Sequence, residues 1–190
     1  MHTQMDTSAE LKRELGSMER ILWSGQPRQG LVFRTAELFV TPFSLLWCGF
    51  AIFWEWQALQ APNAPVFFAL WGVPFVLIGL YMVFGRFFAD AMQRAKTFYG
   101  VTNERVIIVS GLFGRKVKSI NLRSLSDLSL SESSNGEGAI SFGGGAPFSS
   151  MFSGFSGWPG MDAYVGPRFD LVSNVKTVYE TILGAQRAAA

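Results

Sequence analysis

Few residues in this 190-residue chain could do chemistry, and their positions narrow what they could do. The one histidine, His2, leaves neither a Ser-His-Asp nor a Cys-His arrangement to assemble, and no histidine metal site. Cys48 is the only cysteine, so an intrachain disulfide is impossible and it reads as a small apolar filler. Glu132, Glu137, Asp162 and Asp170 could supply an acid–base pair, but they fall in turn-rich sequence where solvated surface is the default. Gly143-Gly144-Gly145 and the Gly136, Gly138 pair lack both the strand-to-helix setting and the lysine of a phosphate-binding loop. No catalytic residue, metal ligand or cofactor site is therefore expected.

Two groups suit contact rather than reaction. Arg115, Lys116, Lys118 and Arg123 form the densest basic group after residue 97, able to meet a phosphorylated headgroup or simply to face an anionic leaflet as solvated strand residues. Phe148, Phe152, Phe155 and Trp158 lie in a Gly/Ser-rich stretch, residues 142–168, with Met151 and Met161 among them. A flexible linker would lack such side chains. They suit a partner groove or a lipid interface, and equally a loop folded back over its own sheet. A net charge of +2 is too small to argue for nucleic acid.

The elements that position these groups begin with two long apolar runs. Leu38 to Trp54 and Ala64 to Gly85 carry no charge and would extend ~26 Å and ~33 Å as helices, enough for a hydrocarbon core of ~30 Å. Trp54, Trp56 and Trp71 rim them as interfacial aromatics do. Arg20, Arg28 and Arg34 precede the pair, Arg86, Arg94 and Lys96 follow it, and Glu55 to Asn63 holds no Lys or Arg, which places both flanks in the cytoplasm. The charged residues before Leu38 do not have the layout of a cleaved secretory signal. Glu55 reads as a solvated helix end, and Pro74 as a kink in the second span.

Hydrophobic residues make up 49% and charged residues 16% of the chain, leaving room for one small domain outside the membrane. Thr7-Ser8-Ala9-Glu10 has the pattern of a capping box, followed by Leu11, Leu15, Met18 and Leu22 at helical spacing. Ile21 to Trp23 suits one brief strand. After the second run come short strands with turn signals: 97–102, 105–110, 116–122, the alternation of Leu128 and Leu130 with Ser129 and Ser131, and Ile140 with Phe142. Val172, Val175, Val178, Tyr179, Ile182 and Leu183 then recur at helical steps, a stripe that should share one core with Trp23 and the strands.

The run Tyr99-Gly100-Val101-Thr102-Asn103-Glu104-Arg105-Val106-Ile107-Ile108, with Gly111, Ile120-Asn121-Leu122 and Leu125-Ser126-Asp127-Leu128, resembles the bacterial PH-like membrane proteins, long catalogued as a domain of unknown function. Glu19 to Pro27 and Val175 to Tyr179 resemble the same family's flanking segments. The resemblance implies a membrane α-helical hairpin joined to an α+β domain: a PH-like curved antiparallel β-sandwich or partly open barrel, capped by a C-terminal helix. Residues 1–37 would supply a cytoplasmic helix and first strand, 38–88 the transmembrane hairpin, and 97–190 the rest of the domain. A phosphoinositide pocket is disfavoured, because bacterial membranes seldom offer that lipid and no second basic cluster completes one. The function implied is a non-catalytic, membrane-tethered scaffold in the bacterial inner membrane, binding protein partners or anionic headgroups. The alternative is an accessory or assembly subunit of a larger membrane complex, contacted through the spans, and self-association is compatible with either.

Overall fold

The computed structural model describes residues 2–34, 37–62, 65–112, 114–143 and 165–189. The chain divides into two compact units, one formed by residues 1–30 and 91–190 and the other by residues 31–90.

Short β-branched segments separated by turns give the first unit two antiparallel sheets. β1 (Ile21–Gly25), β2 (Phe98–Thr102), β3 (Arg105–Ser110) and β4 (Lys116–Asn121) lie side by side in one, and β5 (Leu128–Glu132), β6 (Glu137–Phe142) and β7 (Arg168–Ser173) in the other. The sheets are not closed into a barrel, and they share one core. Tyr99 pairs with Ile108 and Val101 with Val106, and these four point inward. Ile107 and Val109 alternate to the other face, where Leu11 of α1 (His2–Lys12) covers them. β3 is thus buried on both faces, which its unbroken run of branched residues reflects. Gly100 on β2 makes room for that helix, since a Cβ there would fall 3.0 Å from Leu11 Cδ1.

Phe169 is the centre of the shared core. It is fully buried, stacked on Tyr99 at 4.5 Å, edge-on to Phe142 at 4.9 Å and 5.7 Å from Trp23. Helix α5 (Val175–Ala189) closes the open side with Val175, Val178, Ile182 and Ala185 buried, and Tyr179 half-buried beside them. Trp23 and the C-terminal stripe therefore meet in one core, as the spacing predicts.

Two local expectations need correction. Val172 belongs to β7, not to the terminal helix. Leu171 adopts a left-handed φ of 52° and the register with β6 slips between Gly138 and Ile140, so the inward residues Phe169 and Val172 are three apart and imitate helical spacing. Thr7 does not start a helix: α1 begins upstream at His2 and carries Thr7 buried within it. That helix ends at Lys12, leaving Met18 exposed and Leu22 half-exposed on β1.

The second unit is the helical hairpin. α2 (Glu37–Gln60) packs on α3 (Val66–Leu80), which continues through a π-helical turn, Tyr81–Gly85, into α4 (Arg86–Ala95). Small residues let the backbones approach: Ser44, Cys48 and Ala51 are buried on α2, and a Cβ on Gly79 would fall 2.9 Å from Cys48 Cα. At the end away from the connection, Arg86 meets Glu37 at 2.6 Å and donates to Thr41 Oγ1 at 2.8 Å, while Arg34 meets Asp90 at 3.0 Å. Elsewhere the hairpin turns its apolar side chains outward. Only 17% and 12% of the most apolar windows of its two long helices are buried, against the near-complete burial of a core helix in a soluble domain. Both helices are long and apolar enough to cross a membrane.

Truncating the central ring checks the shared core. Phe169→Ala should lower the stability of the sheet unit by about 3–5 kcal/mol, measured by thermal or denaturant unfolding in detergent.

Candidate functional site

The four basic residues close together in sequence are dispersed by the strand that carries them. In β4, Lys118 pairs with Ile108 and Lys116 with Ser110, which puts both on the inward face, Lys118 half-buried and Lys116 exposed at the rim. Arg115 instead reaches α1, meeting Glu14 at 3.0 Å and Glu10 at 3.4 Å and donating to the Glu10 carbonyl. Arg123 donates through Nε to the Ala189 carbonyl at 2.6 Å, capping the end of α5. Two of the four thus hold helices in place, and only the lysines of β4 share a face.

Sequence reasoning treated Lys96 as a flanking charge alone. The structure sets it with Arg115, Phe98, Val109 and Gly111 around an open basin of about 370 Å³, where its Nζ donates to the Leu112 carbonyl at 3.3 Å. Glu10 also lines that basin, so its positive charge is partly offset. Such a surface suits a loose electrostatic contact, not a phosphate cradle.

The carboxylates that could have formed an acid–base pair are occupied or apart. Glu137 pairs with Arg28 at 3.1 Å and Asp170 with Arg168 at 2.7 Å, while Glu132 is exposed. Among the described residues no three or more His, Cys, Asp or Glu side chains gather to hold a metal. Asp162 and the aromatic group Phe148, Phe152, Phe155 and Trp158 lie outside the described residues.

The strongest electrostatic feature went unread in the sequence. The Glu19 side chain, 2% exposed, accepts two bonds from Arg105, Nε to Oε1 and Nη2 to Oε2, both at 2.9 Å. Thr102 Oγ1 adds a bond at 2.7 Å and the Gly16 amide another at 2.9 Å. Arg105 above all, helped by the amide and the hydroxyl, outweighs burial and holds the Glu19 carboxyl at about 2, against 4.5 ordinarily; Glu19 in turn raises the Arg105 pKa. The ion pair fastens the segment before β1 to the β2–β3 turn. No periodicity marks a pair 86 positions apart.

Glu55 also departs from expectation. Its Oε2 is not solvated but sits shielded in the notch left by Gly72 on α3.

A family model described as a bacterial PH domain matches residues 40–141, more than half of the chain. The match takes in nearly all of α2, the whole of α3 and α4, and the strands from β2 to all but the last residue of β6. No curated protein and no solved structure matches.

Because the Glu19 carboxyl is depressed on folding, its stabilisation is complete above pH 4.5 and is lost as the pH falls toward 2. The loss should amount to about 3 kcal/mol. Glu19→Gln should cost a similar ~3 kcal/mol at neutral pH by leaving Arg105 uncompensated, and should flatten the acid limb of a stability–pH curve.

Proposed function

Since the chain belongs to the bacterial PH domain family, we propose that it is a non-catalytic, membrane-tethered interaction module, a scaffold that holds its two-sheet domain at the cytoplasmic surface of the bacterial inner membrane. The observation that carries this reading is the outward apolar surface of the hairpin. Leu38, Phe39, Leu46, Phe50, Phe67 and Leu77 are each more than half exposed, a continuous display that water would not tolerate and lipid would cover. The basic residues flanking the hairpin support a topology with both termini on the cytoplasmic side, in which residues 1–37 and 97–190 would lie outside the bilayer and 38–88 within it.

Contact with partners is assigned to two regions. Lys116 and Lys118 would meet anionic headgroups, each worth about 1 kcal/mol near the surface and weakened by salt. Phe148, Phe152, Phe155 and Trp158 would meet a protein partner, because the Gly and Ser around them cannot bury them locally.

Two measurements check this. An alkaline phosphatase reporter fused after Ala190 should be inactive, and periplasmic activity would refute the topology. Crosslinking with mass spectrometry in native membranes should link the sheet domain to a partner. The fourfold change of Phe148, Phe152, Phe155 and Trp158 to Ser should abolish those links without altering the melting temperature. Links confined to the hairpin would favour an accessory subunit held through its spans.

A further inference from the structure

Resting on the membrane reading above, we infer that the hairpin holds a phospholipid with an amine headgroup, its ammonium at Glu55 and its chains along the aromatic cleft beside it. Trp47, Phe50, Ala51, Trp54, Trp71 and Phe75 line an open apolar cleft of about 270 Å³ between α2 and α3. Its rings are mutually packed, with Trp47–Phe75 at 6.4 Å and Trp71–Phe75 at 6.3 Å. Where Trp54 and Trp71 end it, Glu55 folds back onto α3. A Cβ on Gly72 would fall 1.6 Å from Glu55 Oε2 and 2.8 Å from the Trp54 ring, so acid and indole share one notch.

The charge there has no counterpart between residues 38 and 85. Oε2 of Glu55 is shielded from solvent without a hydrogen-bond partner among the described residues, and residues 38–85 contain no Lys, Arg or His. Glu55 as a whole is only half-buried, and a carboxylate beside the Trp54 ring is suited to an organic cation, which an aromatic ring attracts and a carboxylate neutralises. Glu55 lies five residues from the end of α2, about 7 Å along the axis, at the depth of headgroups rather than of the bilayer centre. The cleft opens on the outward apolar surface, so the cation arrives as part of a lipid.

The test uses the full chain in nanodiscs of equal phosphatidylethanolamine and phosphatidylglycerol, with native mass spectrometry of the lipid retained after mild delipidation. The parent should keep one phosphatidylethanolamine in roughly tenfold preference, and Glu55→Gln should bring the preference to parity. Trp71→Leu should weaken it several-fold; Trp71 is more than half exposed, so its loss leaves the helix seam packed. Equal retention of both lipids by the parent, or a preference that survives Glu55→Gln, overturns the site. Alkaline carbonate extraction separates the two readings: a chain released from the membrane refutes the anchor itself, whereas one that stays without lipid preference refutes only this site.

Discussion

The sheet unit depends on β1 finding β2 across residues 26–97. Ile21 pairs with Thr102 and Gly25 with Tyr99, and without that pairing Trp23 leaves the core. Closing so long a loop costs entropy that grows only with the logarithm of its length, so five residues of strand can offset it when side chains reinforce the join. The reinforcement comes at both ends. Before β1, Glu19 is bound by Arg105 and Thr102; after it, the Arg28 amide donates to the Leu171 carbonyl at 2.9 Å, on the bulge of β7. One short strand is thereby pinned to both sheets, and the backbone strain at Leu171 is part of how its carbonyl comes to be available.

Much of this architecture was legible because it is written locally. Arg105 to Ser110 reads as a strand from branched residues between Asn103-Glu104 and Gly111, and those are the limits of β3. The alternation of Leu128 and Leu130 with serines marks β5 as clearly. β7 was hidden for a physical reason: its bulge spaces Phe169 and Val172 like a helix. The helical pattern of Leu11, Leu15, Met18 and Leu22 ran across a boundary, because propensity does not disclose that the chain turns at Glu14 to bring Glu19 under Arg105.

The candidate site was less legible than the fold. Arg115, Lys116, Lys118 and Arg123 are neighbours in sequence, yet strand geometry sends alternate residues to opposite faces and the helix ends claim two of them. What a linear reading sees as one basic patch becomes two tethers and a pair of lysines. Glu55 misled in the opposite direction: beside Gln57 and Gln60 it looked solvated, and only the absence of a side chain at Gly72 turns it inward. Packing against a glycine on another helix leaves no trace in the local sequence.

Arg94 bridges the points where the chain leaves and re-enters the sheet unit. The chain leaves the sheet unit after Gly30 and returns at Ala91. Arg94 donates to the carbonyls of Arg28 and of Gly30, the latter at 2.7 Å, and the Gln29 side chain donates back to the Arg94 carbonyl at 3.2 Å. The outgoing and returning backbones are thus stitched together before either reaches a strand. A pull on residues 31–90 would reach this stitch before it reached the β1–β2 pairing. It would load three charge-assisted and amide bonds in series with the helices, while the β1–β2 ladder stayed slack.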